Sequence, residues 1–179
     1  MPQPDSIFSA DTNVVGVNRL RAKQPVRSLL SGAGVHPSRL IAALLVVEKG
    51  EQSDAVLPTT PIDQLPQYIA RLKAVGIRGV KLFTKNANKS DDAAEALNLQ
   101  NLSNRSIEAI KAAAPDICVI TDTCLCSYTK NGNCVLDNGG NLDITRSFDI
   151  LAQHALLQVK AGADVIGPAI MADGAVAKL

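Results

Sequence analysis

Tryptophan is absent from this 179-residue chain, and Phe and Tyr together supply only 3% of it. A core must therefore be built from Leu, Ile, Val and Ala, within an apolar content of 46%. An aliphatic core of that kind suits buried parallel strands covered by Ala/Leu-rich helices. Net charge is also nearly missing, at +1, so no electrostatic case exists for a nucleic-acid or acidic-membrane partner. No apolar run approaches the roughly 20 residues that span a bilayer. Met1 to Ala10 lacks the basic-then-apolar order of a secretory signal. Histidine is scarce too: His36 precedes a proline and His154 falls in a helical stretch, and both are expected at the surface. No Ser/His/Asp set, Gly-rich phosphate loop or nucleic-acid motif occurs. Four cysteines are too few and too clustered for a secreted disulfide framework, which points to a reducing, cytoplasmic setting. The terminal Ala177-Lys178-Leu179 differs from the Ser-Lys-Leu peroxisomal address, and a three-residue near-match is expected by chance.

What is present begins at Leu40. Residues 1–39 are polar, with Pro, Gly and Ser but no sustained period, and read as an extended N-terminal arm, mobile or wrapped on a partner. Residues 40–179 read as one α/β domain. Leu40 to Val47 is a continuous apolar run, expected as a strand buried on both faces. Pro61 to Val75 places Ile62, Leu65, Ile69, Leu72 and Val75 at three- and four-residue steps, a helix ended by Gly76. Ile77 to Phe83 is a second strand, and Ala93 to Leu97 a short helix. A helix capped by Ser103 runs to Ala114. Ile117 to Asp122 is a third strand, and Asp137 to Asn141 a turn-rich loop. Ser147 to Ala161 is a helix with Phe148, Leu151, Ala155 and Val159 inward, closed by Gly162, and Ala163 to Pro168 is a fourth strand. The order βαβαβαβ predicts parallel strands joined by right-handed crossovers, either an open sheet or half of a (β/α)₈ barrel. In both, ligands gather at the carboxyl ends of the strands.

Cys124, Cys126 and Cys134 fall at such an end, directly after the third strand. Cys-x-Cys puts two thiolates on a bend, and the Gly132 loop can return a third to the same point. Soft sulfur donors with one position left open suit Zn²⁺, in an arrangement more typical of catalysis than of structure. The alternative is three free, oxidisable thiols in a loop. Cys118, inside the strand, is expected as a small buried hydrophobe. Asp122 is the candidate catalytic carboxylate, with a strand-end residue bonding backbone amides as the alternative. Lys81, embedded in the second strand, is a plausible amine nucleophile inside a closed barrel, or else a snorkelling or edge lysine.

Asp122, Cys124, Cys126, Tyr128, Thr129, Gly132 and Cys134 together resemble the metal loop of the porphobilinogen synthase (5-aminolevulinate dehydratase) family. The similarity extends over Ser38-Arg39-Leu40-Ile41, Leu82-Phe83, Glu95-Ala96-Leu97-Asn98, Ala161-Gly162-Ala163-Asp164 and Met171 with Asp173-Gly174, about residues 18–176. The resemblance implies the first half of a (β/α)₈ barrel, an N-terminal arm that embraces a neighbour, and large homo-oligomers. It also implies zinc on the three cysteines, near the second of two 5-aminolevulinate molecules that the family condenses to porphobilinogen through two Schiff-base lysines. Departures accompany it. The family's Ser-Asp pair after the fourth strand is Ala169-Ile170 here, and two His of the metal loop are Asn131 and Asn133. Both Schiff-base lysines fall past Leu179 in the family pattern, so the reaction is expected to be impaired or absent. The alternative is a non-catalytic zinc sensor, metal reservoir or assembly partner. A half-barrel leaves strand edges and an apolar inner face open, which predicts a homo-oligomer.

Overall fold

A computed structural model of the chain describes residues 22–30, 35–51 and 57–179. Helix α1 spans Gln24–Leu30, and a 3₁₀ turn at Pro37–Arg39 leads into strand β1, Ile41–Val47. Strand β2 (Thr59–Pro61), helix α2 (Leu65–Ala74), β3 (Gly79–Thr84), α3 (Leu102–Ala113) and β4 (Cys118–Thr121) follow. A hairpin of β5 (Leu136–Asn138) and β6 (Asn141–Asp143) precedes α4 (Ile144–Ala161), and α5 is Ala175–Lys178. The main sheet has the order β2-β1-β3-β4 with every pairing parallel. β1, β3 and β4 lie side by side in chain order, with the short β2 on the outer edge of β1. Parallel strands added in one direction, as β1, β3 and β4 are, follow the winding of a barrel.

Strand β2 was not anticipated. It is a three-residue edge strand paired through Leu45↔Thr59 and Val47↔Pro61, and a proline is tolerated there because an edge needs no second partner. The helix predicted from Pro61 begins instead at Leu65, after a 3₁₀ turn over Ile62–Gln64. Its end is as expected: Gly76 takes φ +86°, donates to Lys73 O, and Ile77 N donates to Leu72 O, a closure that favours glycine. Val75 lies in that cap and faces solvent instead of the core. Helix α3 is capped by the Asn101 side chain, which accepts from Asn104 N, because the Ser103 hydroxyl is occupied by Gln158. Helix α4 starts three residues before Ser147, with Asp143 accepting from Arg146 N, and Val159 is half exposed.

The predicted fourth strand does not form a ladder. Residues 163–169 run beside β4 through single bridges at Ile120↔Val165 and Thr123↔Pro168. Thr121 N donates to Val165 O and Thr123 N to Gly167 O, but the Thr121 carbonyl between them takes the Lys81 ammonium. A lysine therefore occupies an acceptor that the ladder needs.

The core lies on one side of the sheet. Leu44, Val46, Val80, Leu82 and Val119 pack against Leu65 and Ile69 of α2 and Ile107 and Ile110 of α3. Each fully buried side chain of this size contributes about 1.5–3 kcal/mol. The other face is different, and β1 is not buried on both sides as predicted. Ile41 and Ala43 are exposed there, with Leu45, Lys81 and Phe83 half-buried, because no wall stands opposite them among the described residues. Among the described residues, its lower end alone is covered: Val26 and Leu29 of α1 pack on Cys118, with Ile120 and Val165 beside them. Gly79 makes room for this, since a Cβ there would stand 3.1 Å from Leu29 Cδ1. Helix α1 belongs to the predicted arm; residues 1–21 and 31–34 of that arm lie outside the described residues.

Candidate metal centre

The chain leaves β4 at Thr121 and enters a loop pinned on three sides. Asp122 N donates to Leu82 O, continuing the β3 pairing by one bond. Leu125 is fully buried in a second core with Tyr128, Leu136, Phe148 and Leu151, and its carbonyl accepts from Tyr128 N and Thr129 N. Ser127 Oγ donates to Thr84 O at the end of β3. The return to Cys134 is a local turn. Gly132 takes φ +73°, Asn131 Oδ1 accepts from Asn133 N, and Thr129 Oγ1 donates to Asn133 O. Asn131 and Asn133, which replace two family histidines, are thus exposed turn-formers.

This folding brings the Sγ atoms of Cys124, Cys126 and Cys134 within 4.8 Å of one another, the only such metal-ligating group among the described residues. Cys124 is buried and the other two are half-buried. Cys126 N donates to Cys124 Sγ at 3.5 Å. Hydrogen bonding from Cys124 pulls the Cys126 thiol below its ordinary value against the opposing effect of burial. The same contact, with burial, pushes Cys124 up. Of the two thiols, Cys126 is the one favoured to lose its proton first. Tetrahedral Zn²⁺ with bonds of about 2.3 Å needs sulfur atoms roughly 3.8 Å apart, so the observed spacing needs only a small contraction. Three soft donors and no fourth side chain in the group fit a Zn²⁺ site with an open position. Cys118 is not part of it. It is fully buried in β4, where burial and the Asp164 charge push its thiol up to about 11.

Asp122 lies beside the thiols, and Lys81 pairs with it from the neighbouring strand. Lys81 Nζ is 3.6 Å from Asp122 Oδ1 and also donates to the Thr121 and Gly167 carbonyls. Burial raises the Asp122 carboxyl above its usual range while Lys81 opposes the rise. Lys81 stands on β3, between β1 and β4, so it is not an edge lysine. The Asp122 charge in turn opposes the lowering of Cys126, which ties the carboxylate to the thiol site.

His154, expected at the surface, is fully buried. Its Nδ1 lies 2.9 Å from Ala96 O, so that nitrogen carries the proton, and Nε2 accepts from Gln158 Nε2 at 3.1 Å. Burial pushes its pKa down to about 4. Gln158 also donates to Ser103 Oγ and accepts from Thr123 Oγ1. Neither Gln158 nor Thr123 was singled out from sequence. The available signal was their position: His154 and Gln158 are four residues apart on the apolar face of α4. His36 is exposed, as expected. Ile170, where the family has Asp, packs against the second core.

Comparison with known proteins follows the same residues. The family model described as delta-aminolevulinic acid dehydratase matches residues 15–179. A delta-aminolevulinic acid dehydratase of Bacillus subtilis is 37% identical over 162 residues, 87% of this chain and 50% of that protein. One from Halalkalibacterium halodurans is 34% identical over 167 residues, 90% of this chain and 51% of the relative. The chain thus spans about half the length of the curated relatives it matches. The crystal structure of the Toxoplasma gondii enzyme, in complex with the reaction product porphobilinogen, superposes with a TM-score of 0.73 at 29% identity. That match covers 88% of this chain and 47% of the other. With its parallel half-barrel and three convergent cysteines after β4, this chain belongs to the delta-aminolevulinic acid dehydratase family.

Proposed function

We propose that Cys124, Cys126 and Cys134 bind one Zn²⁺ and that the chain carries the metal-binding half of a porphobilinogen synthase-type site. The observation behind this is the approach of three thiols to within 4.8 Å at the carboxyl end of β4. When bound, zinc would supply Lewis-acid polarisation of a substrate oxygen at its open position. The chain's own residues hold and orient: Leu125 anchors the loop, and Asp122, paired with Lys81, stands ready to hold a proton beside the thiols. The ligand class is a 5-aminolevulinate-like keto acid, the work belongs to tetrapyrrole synthesis, and the expected compartment is the cytoplasm. No described helix is long and apolar enough to cross a membrane. Residues 1–39 act as the arm and 40–179 as the half-barrel domain. The open inner face and edges join copies into a homo-oligomer.

Turnover of two 5-aminolevulinate molecules to porphobilinogen is proposed to be weak or absent in this chain. Ala169 and Ile170 supply no polar group where the family places Ser and Asp, and Ile170 is committed to core packing. The same observation favours a second reading, a zinc sensor, reservoir or assembly partner. Zinc titration of the metal-free protein should give one ion per chain, lost in Cys134→Ser. Incubation with 5-aminolevulinate and borohydride, followed by peptide mass spectrometry, should give no lysine adduct. Absence of zinc binding would refute the metal assignment, and an adduct on Lys81 or Lys85 would refute the loss of turnover.

A further inference from the structure

The Cys124–Cys126 pair is flanked by Thr123 and Tyr128, and both rest on one face of α4. Thr123 Oγ1 donates to Gln158 Oε1 at 2.7 Å, and its backbone is held by Gly167 O and Ala169 N. Tyr128 meets the His154 ring edge-on, with centroids 5.0 Å apart. His154 and Gln158 join each other, and their remaining polar atoms are taken by Ala96 O and Ser103 Oγ. We infer that His154 and Gln158 are positioning residues that set the spacing of the cysteine thiols from behind the loop.

The reasoning is geometric. Three residues of this set, Thr123, His154 and Gln158, are fully buried, so a lost hydrogen bond has no water to replace it. Each Gln158 amide atom has a defined partner, which leaves its plane a single orientation. Thr123 is covalently next to Cys124, so the direction of that Cα–Cβ bond follows from where the hydroxyl is held. Cys134 is set by a separate turn, through Thr129 and Asn133. Loosening the α4 contacts therefore shifts Cys124 and Cys126 relative to Cys134 without unfolding the turn. Partners behind a ligand set typically change metal affinity by about 10- to 100-fold.

The inference takes its ligand from the proposed metal site, so its test uses a probe that needs no metal. Phenylarsine oxide joins two thiols, its oxygen leaving as water with both thiol protons, and it captures prepositioned thiols best. Capture by metal-free Thr123→Val and Gln158→Leu should weaken about tenfold against the wild type. Thr123→Ser, which keeps the hydroxyl, should restore it. Ile69→Val, which loosens α2 far from the loop, should leave capture unchanged while lowering stability. Equal capture by all variants would overturn the inference, and so would an equal loss in Ile69→Val, which would make the effect one of stability alone. Cobalt(II) added in parallel separates the two ideas. A wild type without sulfur-to-cobalt absorption would sink the metal assignment, while the arsenical series still decides the role of α4.

Discussion

Lowering the pH from 7 to 5 should weaken the fold through His154 in particular. The imidazole is fully buried, with Nδ1–H directed at Ala96 O and Nε2 accepting from Gln158. A proton on Nε2 would face the Gln158 amide donor, so the charged form meets both desolvation and a donor–donor contact. Its pKa falls from 6.5 to about 4 on folding. The unfolded chain then binds more protons between those values, so stability is present above pH 6.5 and is lost as pH falls toward 4. The whole gap corresponds to about 3 kcal/mol, of which about 2 kcal/mol is lost between pH 7 and 5. Asp116, held below the usual carboxylate range chiefly by its hydrogen bond from Lys73, acts at lower pH than His154. Urea unfolding of the metal-free protein at several pH values measures the effect. His154→Leu should be less stable at pH 7, since Gln158 and Ala96 lose a partner, but its stability should change about 2 kcal/mol less over the same interval. A parallel pH dependence in the two proteins would refute the buried neutral imidazole.

Other perturbations test the frame around the site. Gly167→Ala puts a Cβ 2.5 Å from both Thr121 O and Lys81 Nζ; the lysine can move but the backbone carbonyl cannot, and a loss of about 1–3 kcal/mol is expected in urea melts. Ile69→Ala, at a fully buried contact of α2 with the sheet, should cost about 2–5 kcal/mol. Asp164→Asn weakens a buried carboxylate held by Lys111 at 2.6 Å, Lys23 at 3.7 Å and Val119 N at 2.9 Å. A loss of about 2–3 kcal/mol is expected, below the fully buried range because both its lysines reach solvent. Lys81→Met removes the charge opposing the effect of burial on Asp122, so the carboxyl titration, followed by carbon NMR, should move further up. An unchanged titration would show that the 3.6 Å pair has no electrostatic effect.

The exposed inner face is the main physical liability of this half-barrel. Ile41, nearly half exposed, and Ala43, also exposed, lie on this face of β1, in a strand whose sequence is apolar throughout. Such a run is favourable only where both faces are covered. A homo-oligomer that covers it is proposed on this ground, and light scattering across a concentration series measures it.

The amino-acid sequence by itself determined the parallel βα order, the glycine stops at Gly76 and Gly162, and the three candidate ligands. Each is a local matter: periodicity, a positive φ, and sulfur chemistry at a recognisable spacing. Tertiary structure decided what depends on distant partners. β1 is covered on one face because none of the described residues stands across the barrel from most of it. The stretch after α4 is bridged instead of laddered because Lys81, on the distant strand β3, takes the Thr121 carbonyl. Asn101 and not Ser103 caps α3 because Gln158, on another helix, holds the serine. His154 is buried because α4 turns it toward Tyr128 and Ala96, partners that no sequence spacing reveals. The cysteines illustrate the division most sharply: their spacing pointed to a metal, whereas their convergence within 4.8 Å required Leu125, Ser127 and Thr129 to find separate anchors in the fold.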